Sequence, residues 1–475
     1  MILRKRTKIV ATIGPKTTSE EMLTKLLKSG LNVMRMNFSH GDFAEHQEKV
    51  DNARKASKKT GIPLAILQDL GGPKIRTGEF GTESGRVVIK KGQTFTLTTK
   101  KIVGDDKICH VGYDKLPKEV KVGHRIMLDD GKKQLKVTSI KGSDIICKVI
   151  AGGELKGRRG VNLPDTEVSI SSLTPKDRKD IEFGIKNKVD FFALSFVRHA
   201  KDILELRKIL DKAKSKAQII AKIETPQAVR DIDEIIEYAD GIMVARGDLA
   251  IEVPAEEVPL IQKDVIHKCN MVGKPVITAT QMLESMIHSP VPTRAEVSDI
   301  ANAILDGTDA IMLSEETTLG EYPIESVEVM TRVAKRIEND LLHEQLLSAK
   351  ERVNPKDLAG SIAASAVKTA HIIDAKFIVS LTNSGRGSRI ISRHRSKLPI
   401  LAFSPNQDVV QKLNLNFGVW PFELKKGCNF EEAVAEIKKT ISAKKIAKKG
   451  EYIVIVASKP FGTSVKANMI LVEKI

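Results

Sequence analysis

Polar and charged residues recur at one end of a series of short apolar runs in this 475-residue sequence. The residues at those ends are Arg35, Asn37, Ser39, Asp69, Lys222, Glu224, Arg246, Asp248, Thr278, Thr280, Gln281, Ser314 and Glu316. A single polar residue at such a position more often marks only the end of a strand. These residues recur at the same end of nearly every run, and alternate residues of a strand share a face. We therefore predict that they form one site.

The residue types restrict the chemistry of that site. Glu224 and Asp248 offer carboxylate oxygens, which a hard divalent cation such as Mg²⁺ prefers as ligands. Lys222, beside these carboxylates, is expected to remain an ammonium and to stabilise charge on a phosphoryl group or an enolate. Arg35 and Arg76 carry planar guanidinium groups suited to phosphate oxygens. Together these types indicate phosphoryl transfer at a Mg²⁺ site, and the lack of a Walker-type loop argues against a P-loop NTPase.

The apolar runs predict the scaffold that positions these residues. Eight runs alternate with amphipathic helical patterns, and nearly continuous β-branched runs of this length are typical of buried parallel strands. The runs lie at 7–14, 32–40, 63–70, 190–197, 218–225, 240–248, 274–281 and 309–316. Eight βα units favour a closed (β/α)8 TIM barrel, in which the active site lies at the carboxyl ends of the strands.

Two regions depart from the barrel pattern. Residues 71–167 contain short alternating strands and Gly-rich turns, which predicts an inserted small β-barrel domain that closes over the barrel as a lid. Residues 346–475 contain further helix and strand patterns, which predicts a C-terminal α/β regulatory domain with its own core. The remaining residues, 1–70 and 168–345, are assigned to the catalytic barrel, so the fold class is α/β.

Composition limits the class of protein further. Hydrophobic residues make up 41% and charged residues 29% of the chain, a balance typical of globular rather than disordered proteins. The apolar runs are too short to span a bilayer and no secretion signal is visible, so we expect a cytoplasmic protein without a membrane partner. The four cysteines form no C-x-x-C pair, which argues against a disulfide framework or a thiolate metal site.

The formal net charge of +17 attracts polyanions. Aromatic residues are only 4% of the chain and do not interleave with the basic stretches, so we favour a basic surface that serves small anionic ligands, with no nucleic acid as partner. A nucleic-acid-binding protein is kept as the non-enzymatic alternative. Tight, sequence-selective binding at physiological salt would distinguish it.

Six segments give a specific resemblance. They are VMRMNFSHG (33–41), GPKIRTG (72–78), IIAKIETPQAV (219–229), VARGDLA (244–250), TATQMLESM (278–286) and PTRAEVSDIANAILDGTDAIMLS (292–314). In this order they resemble pyruvate kinase over essentially the whole chain. The resemblance implies transfer of a phosphoryl group from phosphoenolpyruvate to ADP, giving pyruvate and ATP through an enolpyruvate stabilised by Mg²⁺, or by Mn²⁺ in its place. It also implies a homotetramer.

The same resemblance implies a role for each matching residue. Lys222 resembles the lysine that stabilises the phosphoryl-transfer transition state, Arg35 the arginine that holds phosphate, and Thr280 a member of the group that protonates enolpyruvate. The other matches are the Mg²⁺ ligands Glu224 and Asp248, the substrate-binding residues Gly247, Asp248 and Thr280, and the nucleotide-binding residues Asn37, His40, Arg76 and Arg159. A Mg²⁺-dependent lyase or aldolase that forms an enolate from pyruvate or phosphoenolpyruvate is the alternative enzyme class.

Lys74 departs from the pattern of K⁺-activated pyruvate kinases, which resemble this chain but carry glutamate at that position. Their K⁺ ligands match Asn37, Ser39, Asp69 and the backbone carbonyl of Leu70. We predict that the Lys74 ammonium takes the place of the monovalent cation, so that K⁺ is dispensable. The alternative is that Lys74 points to solvent and K⁺ still binds.

A second departure is Glu315, in the segment SEET (314–317), where the family more usually has glycine. The substitution puts the local turn geometry in question, because glycine commonly marks a special backbone conformation. Glu316 keeps the familiar carboxylate.

The segment LTNSGRGSR (381–389) predicts an effector site. Its hydroxyls, glycines and arginines follow a predicted strand and suit a phosphate cradle, and the resemblance places a sugar-phosphate or nucleotide effector here. A later segment, 457–467, would close over the same ligand, and a Gly-rich turn without a ligand is the alternative. The residues assigned to the cradle are Thr382, Ser384, Arg386, Gly387 and Ser388.

Overall fold

The computed structural model describes residues 5–340, 357–461 and 466–475. The chain begins with β1 (Lys8–Thr12), α1 (Glu20–Ser29), β2 (Val33–Asn37), α2 (Phe43–Thr60) and β3 (Ala65–Asp69). The first helix begins where Ser19 accepts a hydrogen bond from the backbone N–H of Met22, and it ends at Gly30, whose φ of 128° suits glycine.

An inserted region follows the third strand, as predicted. Its elements are β4 (Arg86–Ile89), β5 (Thr94–Thr98), β6 (Ile108–His110), α3 (Leu116–Glu119), β7 (Arg125–Leu128), β8 (Lys133–Lys141), β9 (Asp144–Ala151), β10 (Gly153–Lys156) and β11 (Val161–Asn162). They form a six-stranded sheet in the order β11-β7-β8-β9-β5-β6 and a two-stranded sheet of β10 and β4. Exposed and buried residues alternate along β4 and β7, so the region encloses a separate apolar core.

The second part of the barrel follows the insertion. Its elements are α4 (Pro175–Lys186), β12 (Phe191–Leu194), α5 (Ala200–Lys212), β13 (Gln218–Ile223), α6 (Pro226–Arg230), α7 (Ile232–Tyr238), β14 (Gly241–Ala245), α8 (Arg246–Glu252), α9 (Val258–Val272), β15 (Val276–Ala279), α10 (Arg294–Asp306), β16 (Ala310–Leu313), α11 (Glu315–Thr318) and α12 (Pro323–Glu338). Short 3₁₀ turns occupy Ala255–Glu257 and Glu284–Ile287.

Eight parallel strands close into a barrel in the order β1-β16-β15-β14-β13-β12-β3-β2. All eight apolar runs of the sequence form these strands, so the predicted TIM barrel is confirmed. We call the carboxyl ends of the strands the barrel mouth and the amino ends the barrel base. Inward-facing side chains fill the interior as a packed core, as expected of this fold.

The C-terminal region forms an α/β domain, as predicted. Its elements are α13 (Leu358–Ile372), β17 (Phe377–Leu381), α14 (Arg386–Ser392), β18 (Ile400–Ser404), α15 (Gln407–Lys412), β19 (Val419–Glu423), α16 (Phe430–Ala443), β20 (Tyr452–Ala457) and β21 (Met469–Lys474). They build a five-stranded sheet in the order β19-β18-β17-β20-β21, in which β21 is antiparallel. The expected domain boundary near residue 345 lies outside the described residues.

The C-terminal domain packs against the barrel base. Leu415, in a 3₁₀ turn at Leu413–Leu415, is fully buried in the same apolar cluster as the inward-facing strand residues. Beside it, Asp309 binds Arg395 through both carboxylate oxygens, at 2.9 and 2.8 Å, and also accepts the backbone N–H of Phe417 at 2.9 Å. The base is therefore closed by apolar packing and by a buried ion pair.

Among the described residues, none of the helices combines the length and the apolarity needed to cross a membrane.

Candidate active site

Four charged side chains meet at the barrel mouth. Arg35, at the end of β2, places Nε and Nη2 each 2.7 Å from Oδ2 of Asp69, at the end of β3. Lys222, on β13, places Nζ 3.2 Å from Oδ1 of the same aspartate and 2.8 Å from Oε1 of Glu224. The side chains of all four are at most a tenth exposed. The strands β2, β3 and β13 thus bring two cations and two carboxylates into one linked cluster.

The cluster fixes the ionisation of its members. Burial acts to lower the pKa of Lys222, but the carboxylates of Asp69 and Glu224 outweigh it and raise the pKa above its ordinary value. Burial acts to raise the pKa of Asp69, and here the charges of Lys222 and Arg35 win and lower it. Lys222 is therefore an ammonium at neutral pH, as the sequence predicted.

Glu224 has the features of a metal ligand. Its Oε2 accepts the backbone N–H of Phe196 at 2.7 Å, and its buried Oε1 is paired with Nζ of Lys222 at 2.8 Å. Burial raises the pKa of Glu224, against the opposing effect of Lys222. A buried carboxylate is costly unless cations balance its charge, and its hard oxygen atoms can also coordinate a divalent ion.

The donor set fits Mg²⁺ if other molecules supply the remaining ligands. Glu224 and Asp248 are both hard oxygen donors, and the negative charge of Asp248 acts on both Glu224 and Lys222. Within residues 5–340, 357–461 and 466–475, no group of three or more His, Cys, Asp or Glu side chains has the spacing of a metal site. Two carboxylates would therefore hold the ion together with substrate oxygens or water, which is the usual mode for Mg²⁺.

Helix α8 carries Gly247 and Asp248 to the mouth. The N–H of Gly247 donates to Oγ1 of Thr280 at 2.8 Å, which joins the ends of β14 and β15. Arg246 binds Asp299 through two bonds of 2.7 Å, so it anchors the helix instead of facing a ligand. Thr280 has a φ of 73°, and such a strained backbone in a non-glycine residue is found mostly where function requires it.

Ser195 is a residue of the site that the sequence analysis missed. Its hydroxyl accepts a hydrogen bond from Nζ of Lys222 at 2.7 Å and donates to the carbonyl oxygen of Leu70, also at 2.7 Å. It thus positions the lysine and occupies one of the carbonyls assigned to K⁺. The signal was present, because Ser195 is a polar residue within the fourth run, 190–197, directly after the strand β12.

The predicted nucleotide-binding residues lie in two groups. Asn37 and His40 follow β2, where Oδ1 of Asn37 accepts the N–H of Ser39 at 3.0 Å. Arg76 and Arg159 lie at the junction with the inserted region, where Arg76 forms an isolated bridge to the residue after Arg159, Gly160. Nε of Arg159 lies 3.3 Å from Asp129 within the inserted region. The second group therefore belongs to the inserted region and the first to the barrel.

His46 supports the loop that carries Asn37 and His40, a role that no motif in the sequence indicates. Its Nε2 lies 3.0 Å from the carbonyl oxygen of His40, and its ring stacks on Phe38 with centroids 3.9 Å apart. Burial and the nearby Lys49 lower the pKa of His46 to about 4. His46 is therefore neutral at physiological pH and acts as a fixed support for the loop.

The two departures from the family pattern occupy different environments. Lys74 is half-buried, and its Cε lies 3.1 Å from where a Cβ on Gly160 would stand, beside the inserted region. Glu315 is exposed at the first position of α11 and has no positive φ, so the backbone there does not require glycine. Glu316 is buried, and its two carboxylate oxygens accept the N–H groups of Ser314 and Leu283 at 2.7 and 3.1 Å.

The predicted effector segment borders a cavity of about 630 Å³ in the C-terminal domain. Thr382, Ser384, Arg386 and Gly387 line this cavity, whereas Ser388 is buried and donates to the hydroxyl of Ser380 at 2.9 Å. Lys466 lines the opposite side. Residues 462–465 of the predicted closing segment lie outside the described residues.

Comparison with known proteins agrees with this geometry. A family profile described as the barrel domain of pyruvate kinase matches residues 4–327, and one for its alpha/beta domain matches residues 360–473. The pyruvate kinase of Clostridium perfringens is 44% identical over 99% of this chain and 100% of its own length. That of Geobacillus stearothermophilus is also 44% identical, over 100% of this chain and 81% of its own. A crystal structure of a pyruvate kinase from Cryptosporidium parvum superposes with a TM-score of 0.93 at 36% identity, covering 99% of this chain and 96% of that one.

Proposed function

We propose, since the chain belongs to the pyruvate kinase family, that its barrel mouth is where a phosphoryl group passes from phosphoenolpyruvate to ADP. Its activity is this phosphotransfer, which yields pyruvate and ATP. The alternative of an enolate-forming lyase or aldolase is not favoured, because relatives named pyruvate kinase match over nearly the full chain.

The main support for the role of each residue is the linked cluster of Arg35, Asp69, Lys222 and Glu224. Asp69 holds both cations, Arg35 at 2.7 Å and Lys222 at 3.2 Å, so that their positive charges face the same space. Fixed positive charge near a transferring phosphoryl group stabilises the transition state, and it needs no rearrangement during the reaction. We assign phosphate binding to Arg35 and transition-state stabilisation to Lys222.

We assign the divalent cation to Glu224 and Asp248, and the members of this family generally use Mg²⁺. When bound, the ion would neutralise negative charge on the substrate oxygens that it contacts. Gly247, Asp248 and Thr280 would hold the substrate, with the Thr280 hydroxyl placed to take part in protonating enolpyruvate. Asn37, His40, Arg76 and Arg159 would bind the nucleotide, the two arginines arriving with the inserted region.

The test of this assignment is pyruvate formation from phosphoenolpyruvate, ADP and Mg²⁺. ADP-dependent pyruvate that disappears when the divalent ion is chelated and returns with added Mg²⁺ or Mn²⁺ is the expected result. Pyruvate formation that does not require ADP would instead indicate a lyase or another enolate-forming enzyme.

We propose further that the activity does not need K⁺. The expected K⁺ ligands are Asn37, Ser39, Asp69 and Leu70, and Lys74 follows Leu70 by four residues. The carbonyl of Leu70 already accepts a hydrogen bond from Ser195. We expect kcat in K⁺-free buffer to equal kcat in 100 mM K⁺ within about twofold, and Lys74→Glu to make the activity depend on K⁺. Strong activation of the unaltered enzyme by K⁺ would contradict the proposal.

We also propose an effector site, a homotetrameric assembly and a cytoplasmic location. The cavity beside Thr382, Ser384 and Arg386 suits a phosphate-bearing effector, either a sugar phosphate or a nucleotide. Titration of such compounds against the substrate cooperativity of the enzyme tests this, and no response to any of them would leave the loop without a ligand. A homotetramer is tested by sedimentation, and a cytoplasmic location by cell fractionation.

A further inference from the structure

Helix α8 connects the barrel mouth to the inserted region. Its first turn carries Asp248, and its last residue, Glu252, lies four positions further on, which places both on one face of the helix. The preceding residue, Ile251, approaches the inserted region at Gly131, where an added Cβ would lie 3.4 Å from Cγ2 of Ile251. A single helix therefore contacts both the metal-binding position and the inserted region.

The link at Glu252 is specific and buried. Its Oε1 accepts a hydrogen bond from Nδ2 of Asn162 at 2.8 Å and from the N–H of Leu163 at 3.4 Å. Asn162 is only 7% exposed. Burial raises the pKa of Glu252 to about 7, although the two hydrogen bonds act in the opposite direction. A buried carboxyl group depends on its hydrogen-bond donors, because water cannot replace them. Helix α8 and the segment that carries Asn162 are therefore held together at this point.

Asn162 lies on the segment that carries Arg159. It belongs to β11, which pairs with β7 in the inserted region, and Arg159 precedes it by three residues. The N–H of Arg159 donates to Oγ1 of Thr77 at 3.0 Å, which keeps this segment extended. The position of Asn162 therefore determines where Arg159 lies relative to the barrel.

We propose that Glu252 is a positioning residue that holds the Arg159 segment of the inserted region in a fixed relation to Asp248 through its bond to Asn162. The proposal rests on the proposed function, because it assigns Arg159 to the nucleotide and Asp248 to the divalent ion. Glu252 itself touches no reactant. It sets the distance between the group that arrives with the inserted region and the group that stays on the barrel.

The test compares Glu252→Ala, Glu252→Gln and Asn162→Ala with the unaltered enzyme. We expect each alanine variant to lower kcat/KM for ADP by about tenfold or more, the scale expected when a buried charged hydrogen bond is lost. KM for phosphoenolpyruvate should change by less than about twofold. The glutamine variant keeps the acceptor oxygen and should recover kcat/KM to within about threefold. The double alanine variant should be no worse than either single variant, because both remove the same link.

The chain offers a matched control. Glu167 and Arg230 form a second link between the inserted region's connecting segment and the barrel, at 2.7 Å, but both side chains are more than half exposed. Glu167→Ala should leave kcat/KM for ADP unchanged within about twofold, since exposed ion pairs contribute little. A loss equal to that of Glu252→Ala would mean that any link between the two regions suffices, and would overturn the specific role of Glu252.

A second measurement separates failure of this inference from failure of the proposed function. Amide hydrogen exchange over residues 159–163 should be about tenfold faster or more in Glu252→Ala and restored in Glu252→Gln, whatever reaction the enzyme catalyses. If the unaltered protein forms no ADP-dependent pyruvate, the proposed function fails and the exchange rates alone decide the link. Unchanged exchange overturns the inference. Equal losses of kcat/KM for both substrates, together with a lower unfolding temperature and no rescue by glutamine, would also overturn it. Such a result would show a merely structural role for Glu252.

Discussion

Both ends of the barrel contain buried carboxylates paired with cations, but the surroundings of the two groups differ. At the base, both carboxylate oxygens of Asp309 are bonded, to Arg395 and to the backbone of Phe417, and Leu415 packs beside them. At the mouth, one carboxylate oxygen of Glu224 is bonded to the backbone of Phe196 and the other is paired with Nζ of Lys222, which also pairs with Asp69. The C-terminal domain covers the charged group of the base, whereas the charged cluster of the mouth is the proposed site of substrate and metal binding.

This difference assigns separate tasks to the two ends. In barrels of this type the carboxyl ends of the strands carry catalysis and the amino ends carry stability. Substitutions at the mouth should therefore change turnover, and those at the base should change the free energy of unfolding.

The largest effect is expected at Lys222. Lys222→Ala should lower kcat by about 10³- to 10⁵-fold, because it removes the charge placed to stabilise the transferring phosphoryl group. A coupled assay of pyruvate formation measures this. The matched control is Lys8→Met, which replaces a buried lysine at the base, where Nζ lies 4.8 Å from the Trp420 ring centroid. A loss of turnover in Lys8→Met comparable to that in Lys222→Ala would refute the division of tasks.

Next in size is the buried ion pair at the base. Arg395→Met keeps the length of the side chain but leaves Asp309 without its partner, so it should lower the free energy of unfolding by about 3–5 kcal/mol. Denaturant unfolding gives this value. The kcat per folded molecule, measured at a temperature where the variant is still folded, should change by less than about twofold. A fall in kcat without loss of folded protein would connect the base to catalysis.

Leu415→Ala removes apolar volume from the same end. It should lower the free energy of unfolding by about 2–5 kcal/mol, since Leu415 is fully buried in the core of the barrel. Leu358→Ala is the control, because Leu358 is 60% exposed and its loss should cost within about 0.5 kcal/mol. Equal effects in the two variants would show that Leu415 does not complete the barrel interior.

The smallest effect is a pH-dependent one at Asp190, which precedes β12 at the base. Its Oδ2 accepts the N–H of Ile66 at 2.8 Å, and burial raises its pKa from 3.8 to about 7. Between these values the unfolded chain releases the proton while the folded chain keeps it, so the carboxyl group lowers stability increasingly as pH rises from about 4 to 7. Above pH 7 the loss is constant.

Asp190→Asn removes this titration but keeps an acceptor for Ile66. The variant should therefore match the unaltered protein near pH 4 and become more stable with rising pH, by about 1 kcal/mol or more at pH 8. Thermal unfolding across this pH range measures the difference. A stability difference that does not vary with pH would contradict the assignment to Asp190.

The sequence predicted the barrel because its strands are local patterns. Each of the eight runs is β-branched, apolar and bounded by helical segments, so no distant contact was needed to recognise it. The strand β19 is harder to recognise from its sequence, because Pro421 interrupts its pattern. Proline is tolerated there since β19 is the edge strand of its sheet.

The sequence predicted which residues form the site better than it predicted which of them contact one another. Lys222, Glu224 and Arg35 follow from strand ends, but the role of Ser195 depends on Leu70, which is 125 residues away in sequence. The bond between Glu252 and Asn162 joins residues 90 positions apart. Such links arise from tertiary packing, and a pattern read along one segment carries no information about them.

The burial of Leu415 in the barrel core has a consequence for synthesis of the chain. The last barrel strand ends at Leu313, so on the order of 100 further residues must be translated before Leu415 is available, which at 5–20 residues per second takes roughly 5 to 20 seconds. During that interval the nascent barrel presents an open apolar base to the cytosol of the expressing cell. We expect ribosome-bound chains of this length to be the form most dependent on chaperones, and truncation before residue 415 to give insoluble protein.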